Sequence, residues 1–147
     1  MEELDIDVVF MHKALEQARM AYDADEVPIG AVVVCNNRII GKGHNQTERL
    51  KDVTAHAEML AITAAAGSIG GKYLDECTLY ITIEPCVMCA GAIKHARFNR
   101  IVVGATEPKM GYSNFLKDNF NAKTEIRVGV LEDECRGLMK DFFAQKR

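Results

Sequence analysis

Residues 77–105 read CTLYITIEPCVMCAGAIKHARFNRIVVGA, and the fold follows from how this stretch divides. Its first seven residues are β-branched and apolar, which marks a strand over 77–83. Glu84-Pro85 ends it. Proline lacks an N–H and has φ preset for a first helical turn, so a helix is predicted over 85–96. RIVVGA (100–105) is a second strand. Downstream, TEIRVGV (124–130) is another, and the chain between the two leaves room for a short crossover helix and so for parallel pairing. A final helix over 131–145 carries Leu131, Cys135, Leu138, Met139 and Phe142 on one stripe. Upstream, Val8, Met11, Leu15, Ala18 and Tyr22 mark one face of a helix over 7–23. VPIGAVVVCNNRIIGKG then reads as a hairpin turning at Asn36-Asn37, and HNQTERLKDV as a polar loop. The next helix is predicted from about Ala55 to Ala66, capped by Thr54 and stopped by GSIGG. One unit, residues 1–147, is therefore expected to form a five-stranded sheet with helices on both faces, an α/β domain.

The composition fits that expectation. The 147 residues suffice for one domain with a proper core and are too few for two comfortable ones. Hydrophobic content of 48% and charged content of 27% are ordinary for a soluble globular chain. No apolar run approaches a membrane span, and the acidic start MEELDID argues against a signal peptide. Net charge is −3, which does not advertise nucleic-acid binding, although Lys94, His95, Arg97 and Arg100 cluster locally. Five cysteines, two of them paired as Cys86 and Cys89, point to a reducing compartment and a metal or reactive site rather than disulfides.

Two predicted helices begin with ligand-type residues. TAHAEML (54–60) offers His56 and Glu58; PCVMC offers Cys86 and Cys89. Cysteines three apart on a first turn face one way, and the positive helix end favours thiolate. Two sulfurs and an imidazole favour zinc. A structural zinc site uses four protein ligands, whereas a catalytic one leaves a position for water. Glu58 then suits a carboxylate near the metal but not on it, able to take a proton from water the zinc has acidified. In a regular helix, residues two apart diverge by roughly 200°, so His56 and Glu58 serve one site only if it lies over the helix end. Plainer readings exist for each part. A histidine at a helix start often caps, and a lone CxxC is often a redox dithiol or half a zinc ribbon. No second CxxC is present, and a dithiol leaves HAE unexplained. H-x-E followed by P-C-x-x-C is the joint pattern of zinc-dependent nucleobase deaminases.

VPIGAVVV, GHN, TAHAEML, LYITIEPCVMCAGAIKHARFNRIVVGA and GVLEDECRGLMKDFF together resemble bacterial tRNA adenosine deaminases of the TadA type, in the cytidine/deoxycytidylate deaminase superfamily. The resemblance implies a three-layer α/β/α cytidine-deaminase-like fold with a five-stranded mixed sheet. It implies His56, Cys86 and Cys89 as ligands of one zinc per subunit and Glu58 as proton shuttle. It implies Asn45, the backbone N–H of Ala57, and walls from Val27, Pro28 and Ile83 as substrate contacts. It implies a cytoplasmic homodimer acting on the anticodon arm of tRNA, where the wobble adenosine becomes inosine and ammonia is released. Three departures fall outside the metal motif. Glu107 stands in TEPKMG where an aspartate is common, the loop YSNFLKDNFNAKTEI is short, and Asp52 is followed by Val53 rather than proline. The competing expectations are a deaminase of free guanine or cytosine, which needs the same core, and a non-catalytic zinc-stabilised module, which leaves Glu58 without a task. Cys35, Cys77 and Cys135 are expected in the core.

Overall fold

A computed structural model describes residues 4–116 and 120–146. Helix α1 (Ile6–Asp23) precedes the hairpin β1 (Gly30–Cys35) and β2 (Arg38–His44). A single turn, α2 (Thr47–Leu50), leads to α3 (Ala57–Ile69). Then come β3 (Thr78–Ile83), α4 (Val87–Ala96), β4 (Arg100–Ala105), β5 (Glu125–Val128) and α5 (Glu132–Gln145). The five strands form one mixed sheet in the order β2-β1-β3-β4-β5. β1 is antiparallel to β2 and β3, while β3, β4 and β5 run parallel. The predicted hairpin turn is present, with Asn36 and Asn37 both at positive φ (52° and 61°), as a tight two-residue turn demands. Between β4 and β5 the described residues hold one 3₁₀ turn, Tyr112–Asn114, in place of a crossover helix.

Strand side chains alternate between faces, and both faces are covered. Ala31, Val33, Leu79, Ile81, Ile101 and Val103 pack under α3 and α4; Val32, Val34, Tyr80 and Val102 pack under α1 and α5. Each fully buried Leu or Ile contributes about 1.5–3 kcal/mol relative to an exposed one. The result is three layers, as expected. Cys77 and Cys135 are buried in these cores and Cys35 is half-buried beside the first.

Helix α3 lies unusually close to the sheet. Its buried residues Ala57, Ala61 and Ala65 recur every four positions, a flat strip on one face. On β2 that strip meets Gly43, where an added Cβ would lie 2.3 Å from the Ala57 carbonyl oxygen. Small residues on both sides set how deep the helix start sits. The α1 stripe differs at its ends from the predicted one: Asp7, Phe10, Met11, Ala14, Leu15, Ala18 and Ala21 are buried, and Val8 and Tyr22 are half-exposed. Asp7 faces inward because donors wait there. Tyr80 Oη donates to Asp7 Oδ1 (2.7 Å), Arg100 binds both oxygens (2.6 and 2.7 Å), and Arg127 binds Oδ2 (2.7 Å). Hydrogen bonding from Arg100, more than from Tyr80 and Arg127, holds the Asp7 carboxyl well below the usual carboxylate range despite burial.

Candidate active site

Helices α3 and α4 both start at one end of the sheet, and their first residues converge. Helix α3 begins at Ala57 rather than Ala55, which makes His56 its N-cap, with extended backbone (φ −77°, ψ 155°). Thr54 caps nothing; its N–H and hydroxyl both donate to Asp52. Helix α4 likewise begins at Val87, with Cys86 as N-cap (φ −72°, ψ 175°) and Pro85 just outside. Because His56 and Cys86 are not helical, the 200° divergence of a regular helix does not apply to them. His56 Nδ1 lies 3.6 Å from Cys86 Sγ and 3.4 Å from Cys89 Sγ. The three ligand atoms fall within 4.8 Å of one another and could hold a metal ion.

The three groups share protons unevenly. Hydrogen bonds from Cys89 and from His56 pull the Cys86 thiol down to about 3, which makes it a thiolate. The hydrogen bond to Cys86, together with burial, pushes Cys89 far up. His56 is raised, chiefly by its hydrogen bond to Cys86. A cation would release the protons these groups hold between them.

Glu58 is 3% exposed, in the first turn of α3. Burial raises its carboxyl to about 7, against the smaller opposing effects of its own backbone N–H and of His56. Val27, Ile29, Asn45, Thr47, His56, Ala57 and Glu58 line a cavity of about 220 Å³. That is less than the ~300–1,000 Å³ of pockets for drug-sized ligands, so it suits one nucleobase rather than a larger ligand. Val27, Asn45 and Ala57 are thus brought to Glu58 and His56. Asn45 is 7% exposed; its N–H donates to Ile29 and its Oδ1 accepts from Thr47 N–H (3.4 Å), a long bond that leaves the side chain room for another partner. Ile83 instead lines a second cavity of about 470 Å³ with Thr106, Glu107, Pro108, Arg136, Met139, Lys140 and Phe143. Pro28 is buried and lines neither.

Sequence reading missed Ile29 and Thr47, the latter on the one-turn helix α2 inside the supposed loop. It also missed two buried carboxylates. Glu26 accepts the Glu48 and Arg49 N–H groups (3.0 and 2.9 Å) and so holds α2 beside the cavity. Glu84 takes donors from the loop after β4. The available signal was a glutamate adjoining an apolar strand at each place, EVPIG and YITIEP. Tyr112 and Phe120 meet edge to face (5.0 Å) and Phe120 packs on the core, while Phe115 is exposed. Residues 117–119 of that loop lie outside the described residues.

The three-layer fold and the convergence of His56, Cys86 and Cys89 fit a deaminase domain, and residues 7–147 match the family model described as MafB19-like deaminase. Over 146 residues the chain is 43% identical to the tRNA-specific adenosine deaminase of Bacillus subtilis (strain 168), covering 96% of this chain and 91% of that one. The chain belongs to the family of tRNA-specific adenosine deaminases. It is similar in structure to a protein solved in a study of A-to-I editing by tRNA:A34 deaminases at the wobble position of transfer RNA (TM-score 0.82, 41% identity, 88% of this chain and 98% of that one). It is also similar to guanine deaminase from Bacillus subtilis (TM-score 0.64, 39% identity, 67% of this chain and 63% of that one). No helix among the described residues is long and apolar enough to cross a membrane.

Proposed function

We propose that this chain is a single-domain, zinc-dependent hydrolase that converts the wobble adenosine of a tRNA anticodon to inosine and releases ammonia. It works in the cytoplasm as a homodimer with one zinc per subunit. The observation that carries this reading is the meeting of His56, Cys86 and Cys89 with a buried Glu58 at a cavity sized for one base. Near-full-length identity to a tRNA-specific adenosine deaminase supports the choice of substrate.

Zinc fits the donor set. A tetrahedral ion with bonds of about 2.3 Å to sulfur and about 2.0 Å to nitrogen sets S···N at about 3.5 Å, against the 3.4 and 3.6 Å found here. His56, Cys86 and Cys89 would hold it, and three ligands leave a position open. When bound, the ion supplies a Lewis acid that makes water a nucleophile at neutral pH. Glu58 takes the proton of the attacking water and delivers it to a ring nitrogen. It then carries the second proton to the departing amine, so adenosine and water give inosine and ammonia. Asn45 and the Ala57 N–H hold the base, and Val27 forms a wall of its cavity. An anticodon loop suits such a site because its bases are already unpaired.

The likeness to guanine deaminase favours a second reading, deamination of a free base by the same residues. A paired assay separates them. An RNA anticodon stem-loop with adenosine at the wobble position should release ammonia, with affinity falling as salt rises. Turnover of free guanine or cytosine without turnover of the stem-loop would reject the tRNA reading. Absence of turnover with every amino-substituted base would leave a zinc-stabilised module.

A further inference from the structure

Glu84 is buried and takes no part in the proton transfers assigned to Glu58. It stands at the end of β3, two residues before Cys86, and its backbone N–H donates to the Ala105 carbonyl (2.8 Å). Its carboxylate is taken up by the loop that follows β4. Oε1 accepts the Glu107 N–H (3.1 Å); Oε2 accepts the Ser113 N–H (3.0 Å) and hydroxyl (2.6 Å). Beside it the Tyr112 N–H donates to the Pro85 carbonyl (2.9 Å). The loop can press this close because residue 111 is glycine. A Cβ there would lie 2.4 Å from both the carboxyl carbon and Oε2 of Glu84. A buried carboxylate is costly unless donors surround it, and bonds to a charged acceptor are about twice as strong as neutral ones. Here the donors come from one loop, so the charge fastens that loop to the turn carrying Cys86.

The start of the fastened loop, at Glu107 and Pro108, lines the larger of the two cavities. Thr106, Glu107 and Pro108 line it together with Lys140, with Arg136, which donates to Thr106 Oγ1 (3.1 Å), and with Ile83, the neighbour of Glu84. We propose that Glu84 is a positioning residue for a polynucleotide substrate: it docks residues 107–113 onto the turn carrying Cys86 and so fixes the spacing between the larger cavity and the His56, Cys86 and Cys89 cluster. A strand held at the larger cavity then presents its base to the cavity at Glu58. The choice of substrate rests on the tRNA reading; the docking does not.

The test combines steady-state kinetics on the anticodon stem-loop, zinc content, and amide hydrogen exchange. Glu84→Gln should raise KM about tenfold, the worth of one charge-assisted hydrogen bond. Its kcat should fall by less than about threefold with zinc retained, the split expected of lost binding rather than lost chemistry. The Glu107 and Ser113 amides should exchange faster. Ser113→Ala, which keeps both backbone bonds, should move KM the same way by less and serves if Glu84→Gln does not fold. The double variant should be little worse than Glu84→Gln alone, because both changes break one contact. Unchanged KM, or kcat falling in step with zinc content, would overturn the proposal. Should the parent protein act on guanine and not the stem-loop, the tRNA reading fails alone, and unchanged exchange at both amides would overturn the docking.

Discussion

At the scale of single residues, Glu58 is held by opposing forces. Burial raises its carboxyl to about 7, and a bound cation would pull it back toward ionisation, so the group can both accept and return a proton near neutral pH. Glu58→Gln preserves shape and should leave zinc content intact while turnover falls by about 10²–10⁴-fold, the usual worth of a general acid–base. Ammonia release and metal analysis on one preparation check this, and retained turnover would refute the shuttle role. That these four side chains would meet was legible because ligand chemistry constrains residue type: few patterns put His, Glu and two Cys at helix starts. How His56 and Glu58 could face one point was not legible from helical spacing. The answer lies in the backbone of His56, which stops short of the helix (ψ 155°) and frees its imidazole from the helical direction. Asn45 and Thr47 were harder still, since a loop asparagine has its own backbone to satisfy and only the folded loop shows where its side chain sits.

At the scale of elements, the depth of α3 decides where His56 and Glu58 end up. The Ala57, Ala61 and Ala65 strip rests on β2 at Gly43, with no space for a methyl group between them. Gly43→Ala should push the helix start outward, cost about 1–3 kcal/mol as overpacking does, and lower zinc affinity as well. A urea titration with and without added zinc measures both; unchanged values would mean that the sheet yields instead. Strands and long helices were legible from period and from Pro85 and the Asn36-Asn37 turn. Helix ends were not. α3 runs past the first glycine of GSIGG to Gly70, because one glycine inside a helix is tolerated and only a left-handed residue stops it. α2 was invisible because four residues have no period, and the buried Glu26 that receives its N–H groups lies twenty-odd positions away.

At the scale of the whole molecule, Asp7 joins α1 to three strands through Tyr80, Arg100 and Arg127. Its folded pKa is depressed below that of a free aspartate, so its contribution is present above the ordinary aspartate range and lost as pH falls through the acid range. Asp7→Asn should cost about 2 kcal/mol or more at pH 7, toward the low side for a broken buried pair because Arg100 keeps Glu125 and Arg127 keeps Asp5. The gap between variant and parent should close as pH falls from about 4 toward 2. Chemical denaturation across that range checks it, and a constant gap would detach Asp7 from acid stability. This network was not legible beforehand: an aspartate early in an amphipathic helix reads as a solvated charge until its partners, scattered along the chain, are seen beneath it. The order of those partners has a consequence during synthesis. A ribosome makes Arg100 93 positions after Asp7 and Arg127 120 positions after it, so the carboxylate leaves the ribosome well ahead of both arginines. The paired carboxylate of the first helix is therefore completed only when β4 and β5 have followed it out.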